Sequence, residues 1–571
     1  MSFIDDNLLN SGPWQSLERN VARLMQHSGF EDIRIVGQSS DHGADILAHR
    51  SGKRWLVQVK FRKSGNVGID VVDKTIEAAR FYKANVPVIA TNQMFTDEVK
   101  RKQASLLANQ INLQLWDRYK LKKDWDRLPI KSPYLRTPRR YQEEPIHSIV
   151  EAFQNNELKR ALIVLATGLG KTFVAAEATR RILELSEKIR PKKILVLAHT
   201  NELVYQLERA FWPFMDKTMN STVWNGYEKG YPNQTLFTFA CLDSMAEHIS
   251  RTNELPTKYD MIIVDECHHA GSATYKKVLD EAQAGKKWGA FLLGITATPW
   301  RSDDEKVEDI FGPKLVSLSI IDGLRNGYLA NIDYRMFVDN INWEALADIH
   351  ELTPKALNRR LFIREWDDAV IYKLRDTWTE VDKPRAIVFC STIDHAMTMR
   401  DKINTMGFAK AEAIFSGNTS GIRLSAAERN RMLADFHAGT IQVMCAVDIF
   451  NEGVDVPDVN ILVFQRVTHS RRIFIQQLGR GLRISPGKKK VVVLDFVSDI
   501  RRFAAGLELK QSLEGAPVYL ELGNPVKFMN VTGEDKKAEN FLSQWLQDVA
   551  EIQDAKEDDH ILKFPPPLTD R

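Results

Sequence analysis

The sequence predicts an α/β protein of several domains, and three observations carry that prediction. Apolar runs recur at residues 161–165, 194–198, 261–264, 386–390 and 491–494, each the length of one buried strand. Most of these runs end in a polar or glycine-rich turn that opens a helical pattern, the alternation that builds parallel sheets. Residues 44–61 instead alternate across a Ser51-Gly52-Lys53 turn, as in an antiparallel hairpin.

A chain of 571 residues fits about three or four domains. Its 44% hydrophobic and 27% charged residues are ordinary for a soluble globular protein. A net charge of +3 gives no global basic excess, so any nucleic-acid signal has to be local. Cys241, Cys267, Cys390 and Cys445 form no Cys-x-x-Cys pair and lie in or beside apolar segments. They read as buried reduced thiols of a cytoplasmic protein, not as disulfides or zinc ligands. No stretch reaches the ~18 apolar residues of a membrane span, and the first residues lack a signal-peptide pattern.

Residues 1–118 are read as the first domain. Residues 14–27 put Leu17, Val21 and Leu24 on one helical face. Strands are expected at 34–36, 44–48 and 54–61. The hairpin brings the start of one strand near the end of the next, so Asp45 falls near Gln58 and Lys60. A carboxylate, an amide oxygen and a lysine at one spot suit a metal-dependent phosphodiester site. The oxygens would hold Mg²⁺, and Lys60 would orient water or stabilise charge.

Asp41-His-Gly-Ala-Asp45, Gln58-Val59-Lys60 and Leu17-Glu18 resemble the Mrr-like branch of the PD-(D/E)xK nucleases. A strand at 86–91, a helix at 96–109 and a strand at 113–116 also fit that restriction-endonuclease-like fold. The resemblance implies that Asp45 and Gln58 bind metal, that Lys60 is the catalytic lysine and that Glu18 is an accessory acid. Gln58 departs from the superfamily's commoner acidic residue, although that branch does use Gln-x-Lys. A catalytically silent DNA-binding domain of the same fold stays open.

Residues 119–134 are read as a basic linker. Lys120, Lys122, Lys123, Arg127 and Lys131 either form a solvated connector or touch nucleic-acid phosphates. Lobe 1 of a motor is placed at 135–330. Its centre is Leu165-Ala-Thr167-Gly168-Leu169-Gly170-Lys171-Thr172, between an apolar strand and a helix over 173–184. The glycines let backbone N–H groups face a β-phosphate, Lys171 would reach the β/γ-phosphates, and Thr172 would hold Mg²⁺.

From this motif onward the order of motifs resembles superfamily 2 helicases and translocases of DEAD/DEAH (DECH-box) type, implying two tandem RecA-like lobes. By that resemblance Tyr141 and Gln142 meet the adenine; Gln142 also reads as a helix-start polar residue. His199, Thr200 and Asn201, after the 194–198 strand, would contact the nucleic-acid backbone. In Asp265-Glu266-Cys267-His268, Asp265 would reach Mg²⁺ and Glu266 would polarise the attacking water. His268, Thr296 and Thr298 would couple the nucleotide site to the inter-lobe cleft.

Lobe 2 is placed at 331–505, with helices expected over 343–378 and 424–437. Gly453 and Asp455 resemble motif V, on the nucleotide and inter-lobe side. Gln476-Gln-Leu-Gly-Arg480-Gly-Leu-Arg483 resembles motif VI. Two arginines three apart share a helix face and would both point at the γ-phosphate. Surface salt bridges are the plainer use of that pair. Residues 506–571 are expected to form a small helical extension with a frayed tail.

The reading that follows is an ATP- and Mg²⁺-dependent DNA helicase or translocase joined to a nuclease domain, in restriction of foreign DNA. DNA repair or recombination is the near alternative. An RNA-remodelling ATPase with a silent front domain, and a non-motor ATP switch, also remain. DNA is the expected partner, with RNA possible and no membrane.

Overall fold

The computed structural model describes residues 3–4, 13–36, 43–155, 159–269, 272–297, 307–338, 364–415, 418–419, 422–447, 458–465, 481–484, 488, 490–497 and 526–530. The described residues form two compact units. One draws on 1–165, 170–317 and 425–431; the other on 166–169, 318–424 and 432–571.

The first unit opens with helix α1 (Trp14–His27), whose apolar positions Leu17, Val21 and Leu24 are buried. Strands β1 (Glu31–Ile35), β2 (Ile46–Arg50) and β3 (Lys53–Lys60) then pair antiparallel. Helix α2 (Asp70–Phe81) crosses to β4 (Val86–Thr91), and α3 (Asp97–Ala108) crosses to β5 (Gln114–Trp116). Both crossovers return parallel, giving a five-stranded sheet in the order β1-β2-β3-β4-β5. The hairpin register sets Ile46 opposite Val57, which carries Asp45 toward Gln58 and Val59.

The segment read as a linker is not a solvated connector along its length. Residues Arg118–Arg127 form helix α4, capped where Asp117 accepts the Lys120 N–H at 2.8 Å. Leu121 is fully buried. The Lys217 ammonium closes the other end, donating to the carbonyls of Leu128 at 2.8 Å, Asp126 at 3.2 Å and Trp125 at 3.4 Å. A basic composition marked the segment as exposed; the cap and the buried Leu121 and Leu128 decided otherwise.

The same unit continues through α5 (Arg140–Gln154), β6 (Arg160–Leu165), α6 (Lys171–Leu183), β7 (Ile194–Ala198), α7 (Asn201–Phe211) and β8 (Ser221–Trp224). It closes with β9 (Phe237–Cys241), α8 (Leu242–Thr252), β10 (Met261–Asp265), α9 (Ala273–Glu281), β11 (Phe291–Thr296), α10 (Val307–Phe311) and β12 (Lys314–Leu318). The seven strands run β12-β6-β11-β10-β7-β9-β8. Strands β6, β11, β10, β7, β9 and β8 pair parallel, with apolar side chains buried on both faces.

The first domain is packed onto this lobe through buried polar groups. Arg23, 1% exposed, donates to the carbonyls of Met219 at 2.9 Å and Asp216 at 3.0 Å. His27 lies 3.2 Å from the Trp212 carbonyl. Burial, then the Arg23 charge, holds its pKa down to about 3, so it is the neutral ring that donates there.

The second unit has α11 (Ile320–Arg325), β13 (Asn331–Val338), α12 (Arg364–Trp378), β14 (Ala386–Phe389), α13 (Ile393–Met406) and β15 (Ala411–Phe415). A short hairpin of β16 (Asn418–Thr419) and β17 (Ile422–Arg423) precedes α14 (Ala426–His437). Then come β18 (Val443–Val447), β19 (Ile461–Phe464), β20 (Lys490–Val497) and β21 (Val526–Asn530). The sheet order is β15-β18-β14-β19-β20-β13-β21, again parallel. Of the helix expected over 343–378, the described part is α12.

The C-terminal region, expected to be helical, contributes strand β21, which pairs with β13 from Tyr334↔Val526 onward. The edge of β13 offers these residues a ladder of backbone partners. The rest of residues 506–571 lies outside the described residues. The four cysteines are all buried and form no disulfide. No helix among the described residues is long and apolar enough to cross a membrane.

Candidate active sites

The first site forms at the C-terminal ends of β10 and β11 beside the start of α6. Gly168 and Gly170 sit at φ +94° and +86°, the left-handed region that a Cβ disfavours. At Gly170 a Cβ would lie 2.6 Å from Gln142 Nε2, so glycine there leaves room for the amide. Gly170 is also the N-cap of the 13-residue helix α6, whose first turn presents N–H groups and the positive end of the dipole. These residues fit a polyphosphate.

Lys171 extends its ammonium to 3.1 Å from Glu266 Oε1, with side chains 10% and 18% exposed. Glu266 has φ +48°, a left-handed non-glycine residue that ends β10 abruptly. Such backbone costs about 1–3 kcal/mol and is held by its surroundings. Its other oxygen lies 3.4 Å from His268 Nδ1, and that nitrogen lies 2.8 Å from Thr296 Oγ1. Strand register places Asp265 opposite Ile295, one residue before Thr296. Lys171, Glu266, His268 and Thr296 therefore form one continuous chain of contacts across three elements.

Asp265 keeps some solvent exposure as a residue, but protein surrounds its carboxyl. Burial first, and then the Glu266 charge, push that carboxyl up to about 6. Its ionised form is a hard oxygen donor of the kind Mg²⁺ takes, and a cation there would favour loss of that proton. Thr172 is half-buried at the start of α6.

Gln142 is 5% exposed, and its Oε1 accepts the Arg139 N–H at 2.9 Å. It caps α5 and lies against Gly170, so the helix-start use and closeness to the phosphate turn coexist. Tyr141 is buried. Thr167 and Leu169 lie in the turn itself, Leu169 buried. His199, Thr200 and Asn201 are half-buried at the end of β7. Thr200 caps α7 through its hydroxyl, accepting Leu203 N–H at 3.2 Å, and Asn201 Oδ1 accepts Gly226 N–H at 3.1 Å. Arg483 is half-buried in the second unit. Thr298, Gly453, Asp455 and Arg480 lie outside the described residues.

The second site lies on the hairpin of the first domain. Asp45, 7% exposed, accepts the Val59 N–H at 2.6 Å through Oδ2. Gln58, 1% exposed, has its Oε1 taken by the Thr75 hydroxyl at 2.5 Å, and Thr75 donates from α2. Gly43 at φ +83° makes room for this amide: a Cβ there would stand 2.8 Å from Gln58 Nε2. Lys60 is half-buried two residues on, and its carbonyl accepts the Thr91 hydroxyl at 2.7 Å. Glu18 is buried on α1. The oxygen donors of Asp45 and Gln58 fit a hard divalent cation.

Sequence reasoning missed Thr75. No spacing rule joins it to Gln58; α2 brings it there across the β3–β4 crossover.

Residues 9–124 match the family described as restriction endonuclease (Mrr type), and 136–301 match that of the type III restriction enzyme res subunit. Residues 369–485 match the helicase conserved C-terminal domain. The type I restriction enzyme EcoAI endonuclease subunit of Escherichia coli is 27% identical over 599 residues, covering 95% of this chain and 69% of its own. A Schizosaccharomyces pombe protein named as the mitochondrial ATP-dependent helicase irc3 is 26% identical, covering 64% of this chain. The chain spans 58% of that relative's length. The DNA-bound type ISP restriction-modification enzyme LlaBIII superposes with TM-score 0.50 at 15% identity, over 97% of this chain and 42% of that one. At that identity the likeness concerns the fold.

Proposed function

We propose that this chain, which carries a restriction-endonuclease domain ahead of a superfamily 2 helicase core, is an ATP-driven DNA translocase that cuts DNA in restriction of foreign DNA. The observation that carries the motor half is the Lys171–Glu266 pair continued by His268 and Thr296. The name borne by the Escherichia coli relative, over 95% of this chain, supports the restriction role.

In this reading ATP is the substrate, and the N–H groups of the Gly168–Gly170 turn and Lys171 bind its phosphates. Arrival of the γ-phosphate gives Lys171 a second anion, and Glu266 is released to face the attacking water. The water oxygen bonds to the γ-phosphorus, its proton passes to Glu266, and the bond to the ADP oxygen breaks. Mg²⁺, held by Thr172 and Asp265 at one site and by Asp45 and Gln58 at the other, supplies charge neutralisation and water activation. His268 and Thr296 sense the Glu266 carboxylate. His199, Thr200 and Asn201 grip DNA phosphates without reading bases. Lys60 orients the water that attacks DNA, and Glu18 assists it.

A second reading, in which the front domain binds DNA without cutting it, draws support from Thr75 holding the Gln58 oxygen. One experiment separates them: ATPase stimulation by single- and double-stranded DNA and RNA, with Mg²⁺-dependent cleavage scored in the same tubes. DNA-stimulated turnover with cleavage that Asp45→Ala and Lys60→Ala remove is the expected result. DNA-stimulated turnover without cleavage favours the binding domain. Stimulation by RNA alone overturns the proposal.

A further inference from the structure

The turn between β8 and β9 is held from two sides. From lobe 1, Asn201 Oδ1 accepts the Gly226 N–H at 3.1 Å. From the first domain, Gln15 Nε2 donates to the Tyr227 carbonyl at 3.3 Å, and Arg19 donates to Glu228 Oε1. Inside the turn, Asn225 Oδ1 accepts the N–H groups of Tyr227 at 2.9 Å and Glu228 at 3.0 Å. Gly230 N–H reaches the Val223 carbonyl at 3.0 Å, and Tyr231 N–H reaches Thr222 Oγ1 at 3.1 Å. This backbone has little freedom left to lose.

The side chains of the turn divide by charge. Glu228 points inward, 5% exposed, against Arg19. Arg19 Nε also lies 2.8 Å from Glu208 Oε2, an ion pair whose N–H does not point along the contact. The negative charge of the turn is thus buried and compensated. Tyr227, in contrast, is 59% exposed, and Lys229 is exposed with its ammonium 5.3 Å from the Trp224 ring centroid. The turn hides its acid and displays a ring and a cation.

A ring on a locked backbone can stack without further ordering cost, and a neighbouring ammonium can take a phosphate. The turn is bonded to Asn201, one of the residues assigned to the DNA backbone, and to the first helix of the nuclease domain. We propose that residues 225–231 form a strand-contact element, in which Tyr227 stacks on an unpaired base and Lys229 pairs with a phosphate beside it. The ligand class is a single-stranded stretch of the DNA that the motor engages. This inference rests on the DNA-translocase reading above.

The test uses the full chain and a fluorescent oligonucleotide, single-stranded or as a blunt duplex, with affinity read by anisotropy over a salt series. Tyr227→Ala should weaken single-strand binding about tenfold, the worth of one stacked base, and leave blunt duplex binding within about twofold. Tyr227→Trp should restore it. Lys229→Gln should make the salt slope shallower by ~0.7 on single strands. Both side chains face solvent, so unchanged melting temperatures should accompany these effects. Unchanged single-strand affinity in Tyr227→Ala, or an equal loss on blunt duplex, overturns the stacking assignment. An unchanged salt slope overturns the phosphate contact. Wild-type protein that binds neither DNA overturns the translocase reading as well, which keeps the two failures apart.

Discussion

Lys171 and Glu266 of the proposed ATP site lie in the same compact unit as the proposed nuclease site, yet the two sites satisfy their polar groups in opposite ways. In the ATP site, charge meets charge: Lys171 on Glu266, with both side chains partly exposed. With side chains 10% and 18% exposed, the pair is mostly withdrawn from water, and neither charge is cheaply left alone. A phosphate arriving at Lys171 supplies the replacement anion. In the nuclease site, Asp45 answers a backbone N–H and Gln58 answers a hydroxyl, both deep in the fold. Each such bond contributes about 0.5–1.5 kcal/mol and leaves an expensive orphan if cut. The motor site is built for exchange of partners, and the nuclease site is built for rigidity. In the metal-free protein the Thr75 hydroxyl holds the Gln58 oxygen, so a cation there would have to compete with that hydroxyl.

The largest expected effect breaks the exchange in the ATP site. Glu266→Gln should lower ATP turnover by about 10²–10⁴, the worth of a positioned general base. Nucleotide affinity should hold or rise, because Lys171 loses its resident anion. Lys171→Ala should abolish turnover and weaken ATP binding as well. Steady-state hydrolysis together with nucleotide binding distinguishes the two, and near-normal turnover in either variant removes the motor assignment.

Next comes the rigidity of the nuclease site. Asp45→Ala should remove cleavage and cost about 1–3 kcal/mol of stability, because it leaves the Val59 N–H buried without a partner. Asp45→Asn should also lose cleavage yet keep most of the stability, since an amide oxygen can still accept that N–H. DNA-stimulated ATPase should persist in both. Equal melting temperatures for the two variants would show that the Val59 bond carries no weight.

Gln58→Glu sharpens the contrast by placing a charge where the fold holds a neutral amide. Divalent metal should bind more tightly, as read by calorimetry. Without metal, burial raises the pKa of the introduced carboxyl above its unfolded value of about 4.3. Its folded form then holds a proton that the unfolded form releases, so stability should fall as pH rises above that value. Added Mg²⁺ should restore it. Metal affinity equal to wild type would mean that residue 58 is not a ligand.

The smallest effect belongs to Thr75→Val. It strips the Gln58 oxygen of its hydroxyl donor in the metal-free protein and so biases that oxygen toward a cation. A loss of about 1 kcal/mol in the metal-free state corresponds to roughly fivefold tighter Mg²⁺ binding. Weaker binding would indicate that Thr75 orients Gln58 for the metal instead of competing with it.

Much of this was legible in the chain itself. The α1 helix, the hairpin and the strand–turn–helix at Lys171 follow from local periodicity and from glycines that tolerate positive φ. The placement of Asp265 and Glu266 at a strand end follows equally from the apolar run before them. The α4 helix was hidden because lysine and arginine read as solvent-facing, whereas the buried Leu121 and Leu128 and a cap decided the matter. Strand β21 was hidden because its partner, β13, lies far back in the sequence.

The sequence by itself proposed which residues carry chemistry and determined, for most of those described, the local element on which each sits. Those are questions of backbone propensity over a few residues, and nearby side chains answer them. Only the tertiary structure decided what each group leans on at rest. Thr75 reaches Gln58 across 17 residues, and Arg19 reaches Glu228 across 209. Such pairings depend on sheet order and on which helix is packed against which strand. They are set by the burial of whole faces, which local spacing does not encode.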